Sequence, residues 1–310
     1  MARSNSHPDG DLPKLAIPLN AALLAVFINT LWGGNPVAVK FSLEWLPPLW
    51  TGFFRFVLGI LTVLIYARLR GIAVWPERSE WRFLVVLAVM FAVQITVMNV
   101  GFDMTPASVS AVIQSTYPLF TALMAHFYLD NDRLQTVKSL GLAVAFAGVA
   151  LIILREAEFS GTGWLELGPL VVLASAFLLA ARVVFSAKLV RSIDPIKVVV
   201  WQMSLSLPYF LAGGFLLEEI QWQNFGWWPV LGILYQGIVI AGFGFVVAIT
   251  LPKFYNPSLV TSFGFLTPVS GVLLAVWLLG DTITWQLLAG TLTVGVGLFL
   301  IVRQPKAGHH

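Results

Sequence analysis

Residues Pro106–Tyr128 read PASVSAVIQSTYPLFTALMAHFY, a run long enough to cross a bilayer as one helix and free of Asp, Glu, Lys and Arg. Shifted by 150 residues, a second copy appears at Asn256–Leu278, NPSLVTSFGFLTPVSGVLLAVWL. Ser108 then falls on Ser258, Pro118 on Pro268, Leu123 on Leu273 and Ala125 on Ala275. Each copy starts beside a proline (Pro106, Pro257) and carries another in mid-run. An inner proline has no N–H for the carbonyl four residues back, so Gln114 and Gly264 lose a donor and a kink is expected at each. In hydrocarbon a freed carbonyl is tolerated only where protein or a wet cavity covers it. A proline-interrupted, polar-flecked helix in each half therefore points to a path between two repeats.

The composition agrees. Of 310 residues, 58% are hydrophobic and 11% charged, with a mean hydropathy of +0.86, whereas soluble domains carry roughly 25% charged residues. This predicts an all-α polytopic membrane protein with no soluble domain. The net charge of +3 is no sign of nucleic acid, because the basic residues sit in short loops, where they set topology. The absence of cysteine excludes disulfides and thiolate metal sites. Residues 1–14 read as a disordered cytoplasmic tail without a cleavable signal, and 303–310 as a tail ending in a possible tag stump.

Apolar runs fall near 15–35, 48–67, 82–102, 106–128, 136–154, 165–188, 196–217, 228–250, 256–279 and 284–302, which predicts ten transmembrane helices. Fifteen of the 18 Lys and Arg residues, Arg182 among them, then lie on the side of the N-terminus, so both termini are expected to be cytoplasmic. The opposite face collects Glu44, Asp103, Glu218, Glu219 and Asp281, with a belt of tryptophans that includes Trp45, Trp50 and Trp222. Trp75 and Trp81 mark the inner boundary.

The internal likeness extends beyond one helix pair. A shift of 148 places Lys40 on Lys188 and Pro47 on Pro195, and a shift of 149 places Gly141 on Gly290 and Gly148 on Gly297. Five helices per half is an odd number, so the second half enters the membrane inverted. The expected organisation is a first five-helix repeat at 15–154, an outer linker at 155–164 and an inverted repeat at 165–302, with a site near midplane between them.

At these residues the chain resembles a known family. Its first helix ends LWGGNPVAVKFSLEWLPP and is followed by WTGFFRF, the fourth carries YPLFTALMA, and the ninth reads FLTPVSGVLLAVWLLGD before a glycine-rich helix. The chain is similar to the EamA-type branch of the drug/metabolite transporter superfamily over about 15–302. That resemblance implies a ten-helix secondary transporter, commonly an exporter of amino acids, other metabolites or toxic compounds. Its motifs are shared across cargoes.

Arg55 reads as the one charge well inside a span, about 10 Å from the outer end of helix 2 at 1.5 Å per residue. It matches the family's Arg-Phe pair, and a structural or gating role is expected of it together with Pro118 and Pro268. No Asp or Glu lies mid-span, so proton coupling through an embedded carboxylate is not expected. His126, the only histidine within a span, is the remaining coupling candidate, with a hydrogen-bonded packing role as the plainer reading. Candidate substrate-binding residues are Asn29, Trp32, Asn35, Gln94, Asn99, Gln114, Tyr117, Tyr235, Gln236, Phe263 and Thr267, a mostly apolar set with a few directional polar groups. Any polar member can equally be an interhelical hydrogen bond. Gly141, Gly148, Gly290, Gly295 and Gly297 read as close helix packing within the fold.

A membrane enzyme would need a nucleophile with its base, a carboxylate pair or a metal cluster in the slab, and these spans hold none. An inert scaffold has no use for paired proline kinks. The leading reading is a secondary transporter working by alternating access, most simply an exporter of neutral or zwitterionic metabolites such as amino acids or of toxic compounds, with uptake or lipid flipping as alternatives and a non-transporting scaffold as a more remote one. An uncharged cavity disfavours strongly anionic cargo. The expected partners are a small-molecule substrate and the bilayer, with no cofactor, metal or nucleic acid, in a monomer or weak homodimer.

Overall fold

The computed structural model describes residues 18–128, 136–159, 167–254 and 263–302, and every regular element among them is helical. Tails 1–14 and 303–310, Asp130–Arg133, Gly161 and Asn256–Ser262 lie outside the described residues. The elements are α1 (Leu19–Gly33), α2 (Asn35–Leu43), α3 (Pro48–Leu69), α4 (Trp81–Asp103), α5 (Ala107–Gln114), α6 (Tyr117–Tyr128), α7 (Thr136–Phe159), α8 (Gly168–Leu189) and α9 (Pro195–Leu217). There follow α10 (Trp227–Leu234), a π-helical stretch (Tyr235–Gly244), α11 (Phe245–Phe254), α12 (Leu266–Leu279) and α13 (Trp285–Val302). Among the described residues, seven stretches are long and apolar enough to span a bilayer, from Leu19–Leu43 to Trp227–Ala248, and Phe263–Leu279 and Trp285–Ile301 are shorter apolar helices. The chain is a multi-pass helical membrane protein. α7 runs on to Phe159, past the expected repeat boundary at 154.

The expected kinks are breaks. α5 stops at Gln114 and α6 starts at Tyr117, so Pro118 is the second residue of a new helix instead of an interruption within an old one. Its missing N–H would be unpaired in a first turn in any case, and its fixed φ suits that turn. The hydroxyls flanking the break help to hold it. Ser115 Oγ donates to the Ala111 carbonyl (2.7 Å) and Thr116 Oγ1 to that of Ile113 (2.6 Å), competing with the ladder. Pro268 is likewise the third residue of α12, after a 3₁₀ turn at Phe263–Phe265. A third break was not foreseen. α1 ends at Gly33, and Pro36 is the second residue of α2.

Close approach of helices follows the glycines. α7 and α13 form the most extensive helix pair. A Cβ at Gly141 would lie 2.8 Å from the Gly297 carbonyl, and one at Gly148 would lie 3.1 Å from that of Gly290. These four pack within the fold. Gly295 does not, since a Cβ there meets nothing within 4 Å. The π-helical stretch lies along α3, where a Cβ at Gly237 would come 2.5 Å from Leu58 and one at Gly242 would be as near Thr62.

Polar contacts tie the helix termini at one end of the bundle. Gly280, at φ 72°, closes α12 in the left-handed conformation that glycine accepts most readily. The next residue, Asp281, takes the Ser108 N–H at 2.8 Å and so caps α5. Glu218, just past α9, accepts the N–H groups of Leu49 (2.9 Å) and Trp50 (3.1 Å) at the start of α3. Lys40 Nζ donates to the Asp103 carbonyl at the end of α4 (2.8 Å). Aromatic rings fill in around them, including Trp45 against Phe225 at 4.9 Å and Trp50 against Phe215 at 4.8 Å. The other end holds Trp201, which packs on Trp75 and Trp81, and the Glu80–Lys197 ion pair at 3.5 Å.

Burial raises the Glu218 carboxyl above the usual glutamate value, while the Leu49 and Trp50 N–H groups pull the other way. Because the net shift is upward, ionising this group works against the fold. Its contribution is complete below the ordinary carboxylate range and is lost as pH rises through the raised value. Melting in detergent from about pH 4 to about pH 7 should therefore show a wild-type decline relative to Glu218→Gln. Parallel pH profiles would contradict this assignment.

Candidate functional site

A cavity of about 280 Å³ lies where the broken helices meet. Trp32, Gly33, Asn35 and Pro36 reach it from the α1–α2 break, Gln114, Ser115 and Tyr117 from the α5–α6 break, and Thr267 from the first turn of α12. Ile95, Met98 and Phe102 of α4 supply apolar wall, and the lining runs to Val190 and Pro195 at the Trp201 end. Helix breaks serve such a site because the backbone there presents polar groups that a continuous helix would consume internally.

Several polar atoms on this wall are buried without a hydrogen-bond partner. They are Trp32 Nε1, Asn35 Oδ1, Arg55 Nε and Nη1, Gln94 Oε1, Gln114 Nε2 and Arg182 Nε. An unpaired buried polar group is costly and uncommon, and these seven atoms all belong to residues that line this one cavity. Neighbours orient the groups from behind. Gln114 Oε1 accepts from Ser175 Oγ (2.5 Å), Arg182 Nη1 donates to Gln202 Oε1 (3.0 Å), and Thr267 Oγ1 donates to Asn29 (3.3 Å).

Two expectations fall here. Arg55 is not the lone intramembrane charge, and the cavity is not uncharged, because Arg182 of α8 stands on the same wall. Arg182 lies seven residues inside the end of its helix, about 10 Å, and so does not belong with the loop residues that mark the side of the N-terminus. Arg55, 3% exposed, lies over the Phe56 ring (5.3 Å) and Arg182 over the Phe91 ring (4.9 Å). The two rings are 4.6 Å apart, so the guanidinium groups flank one aromatic pair. Among the lining residues there is no Asp or Glu.

Of the expected binding residues, Trp32, Asn35, Gln94, Gln114, Tyr117 and Thr267 meet at the cavity, together with Arg55. Five do not. Asn29 ties α1 to α12, its Nδ2 donating to the Ala25 carbonyl (2.8 Å) and its Oδ1 accepting from Thr267. Asn99 holds α4 to the start of α3 through the Pro48 carbonyl (2.8 Å). Tyr235 hydroxyl donates to the Leu31 carbonyl (2.5 Å), where α1 ends. Gln236 donates to the Ala38 carbonyl (3.1 Å) and to Ser42 Oγ (2.7 Å) in α2. Phe263 packs with the apolar cluster of Ala25, Ile28 and Val247. Pro118 and Pro268 start helices behind the wall, and His126 lies on α6 outside it. Arg182 and the backing Gln202 are the functional candidates that the sequence reading did not place there.

A multi-pass helical bundle with a mostly apolar cavity at helix breaks is the architecture in which membrane carriers place their sites. The model of the EamA-like transporter family matches residues 19–154 and again 166–303, and the chain belongs to that family. An uncharacterised transporter of Bacillus subtilis (strain 168), YvbV, is 28% identical over 305 residues, covering 96% of this chain and 94% of its own. A probable amino-acid metabolite efflux pump of Salmonella typhimurium (strain LT2) is 27% identical over 295 residues, covering 90% and 93%. One crystal structure at 20% identity superposes with a TM-score of 0.68 over 91% of this chain and 96% of its own, a likeness of fold.

Proposed function

We propose that this protein is a secondary transporter of the bacterial inner membrane that exports small amino-acid-like metabolites through the cavity described above. It crosses the bilayer ten times as two inverted five-helix repeats, spanning about 15–154 and 165–302, with both termini in the cytoplasm. The observation that carries the reading is the cavity of unpaired polar groups at helix breaks from both halves of the chain. Inversion is supported by the Ser108–Asp281 bond, which sets the start of α5 beside the end of α12. It is supported also by the glycine contacts. Gly141 aligns with Gly290 and Gly148 with Gly297, yet Gly141 faces Gly297 and Gly148 faces Gly290. That exchange is what a twofold relation between two helices requires. The name of the Salmonella relative favours amino-acid efflux.

The full-length protein in vesicles should exchange labelled amino acids from a mixed panel, with and without a pH gradient. Reporters after Arg70, Arg133 and Arg191 should be cytoplasmic, and those at Asp103, Glu219 and Asp281 external. One reproducible reversal would overturn the topology, and absence of flux for every amino acid would overturn the cargo class. Proton coupling at His126 is ruled out if His126→Ala leaves gradient-driven flux unchanged.

A further inference from the structure

Every unpaired cation-bearing donor at the cavity belongs to two side chains, Arg55 of α3 and Arg182 of α8. No Asp or Glu stands with them among the described residues that line the cavity. Arg182 spends one nitrogen on Gln202 and leaves Nε free, and Arg55 leaves both Nε and Nη1 free. Gln114 Nε2 and Trp32 Nε1 add uncharged donors on the same wall. Two buried guanidinium groups near one aromatic pair repel each other and lose hydration, a combination that is costly unless an anion joins them. No Asp or Glu is among the described residues of the wall, which leaves the ligand as the source of that anion.

On the transporter reading above, we infer that Arg55 and Arg182 receive the carboxylate of the cargo, and that carriage depends on this carboxylate and not on an amino group. Guanidinium donors match carboxylate oxygens in a planar, charge-assisted geometry. An ammonium group finds no carboxylate on this wall, where the unpaired buried side-chain acceptors are the uncharged amide oxygens of Asn35 and Gln94. The remainder of the wall, with Ile95, Met98, Phe102, Val183, Val199 and Ile240, suits an apolar body behind the charged head. The cargo class is therefore an organic monocarboxylate with an apolar side group, amino acid or not.

Three probe sets distinguish the cases in vesicles carrying the full-length protein: the amino acids, their primary amides, and the 2-hydroxy acids of the same side chains. The expected result is exchange of amino acids and of their hydroxy-acid counterparts, with the amides at least tenfold slower. Arg55→Gln and Arg182→Gln should each weaken the acids at least tenfold and leave the amides where they were. Amides moving as fast as acids would overturn the carboxylate assignment while leaving transport intact. Hydroxy acids failing where amino acids succeed would overturn the independence from the amino group. If no probe moves with wild-type protein, the transport reading falls and the inference falls with it. The comparison of acid with amide uses unsubstituted protein, so an arginine variant that fails to fold does not remove the test.

Discussion

Gly297→Leu should leave little folded protein. A Cβ at that position would lie 2.5 Å from the Gly141 carbonyl oxygen and 2.5 Å from Ala145 Cβ, both fixed parts of α7. Backbone cannot rotate aside as a side-chain tip can, so α7 and α13 must separate along the most extensive helix contact in the protein. Overpacking typically costs about 1–3 kcal/mol and exceeds that where the neighbours cannot give, a large share of the roughly 5–15 kcal/mol by which proteins are stable. Gly295→Leu, two residues along the same helix, meets nothing within 4 Å and should behave as wild type. Size-exclusion profiles of fluorescently tagged protein in detergent check both. A monodisperse Gly297→Leu peak of normal height would mean that the helices are not in contact there.

The second large effect is expected from the prolines. Pro118 and Pro268 lie in first turns, where the missing N–H has no intrahelical partner to lose, so the Pro118→Ala, Pro268→Ala double variant should fold. What it removes is the penalty of about 3 kcal/mol against a helix running straight through. α5 and α6 can then join across Ser115 and Thr116, and Gln114, Ser115 and Tyr117 leave their places on the cavity wall. Flux in vesicles should fall by about an order of magnitude or more, with the size-exclusion profile unchanged. Normal flux would show that the breaks are held by other means, such as the Ser115 and Thr116 hydroxyls, and would direct attention to Arg55 and Asn35.

Much of the fold was legible in the sequence because hydrocarbon is a demanding solvent. It leaves long charge-free runs, and glycines where helices touch, and both survive in the text of the chain. The breaks were not legible, because a proline in an apolar run reads the same whether it kinks one helix or begins another. Half of the candidate site misread for a related reason. Tyr235 and Gln236 look like cavity residues, yet the Tyr235 hydroxyl and the Gln236 amide nitrogen go to carbonyls of α1 and α2. In a bilayer a polar side chain near a broken helix has that second employer, and only the position of the break shows which one it serves. Arg182 was hidden differently. It follows a long apolar run and precedes Lys188 and Arg191, so it merged with the loop charges. Its distance from the helix end, equal to that of Arg55 from the start of α3, was the available signal.

The central claim is that this cavity carries cargo from one side of the membrane to the other. The protein has no cysteine of its own, so Ser115→Cys provides a single thiol on the cavity wall. A membrane-impermeant maleimide applied to right-side-out and to inside-out vesicles, with the amino-acid mixture on both sides, measures access directly. Alternating access predicts labelling from both sides in turn, slowed by the mixture when it occupies the cavity. Labelling from one side alone, or at a rate indifferent to the amino acids, would contradict it.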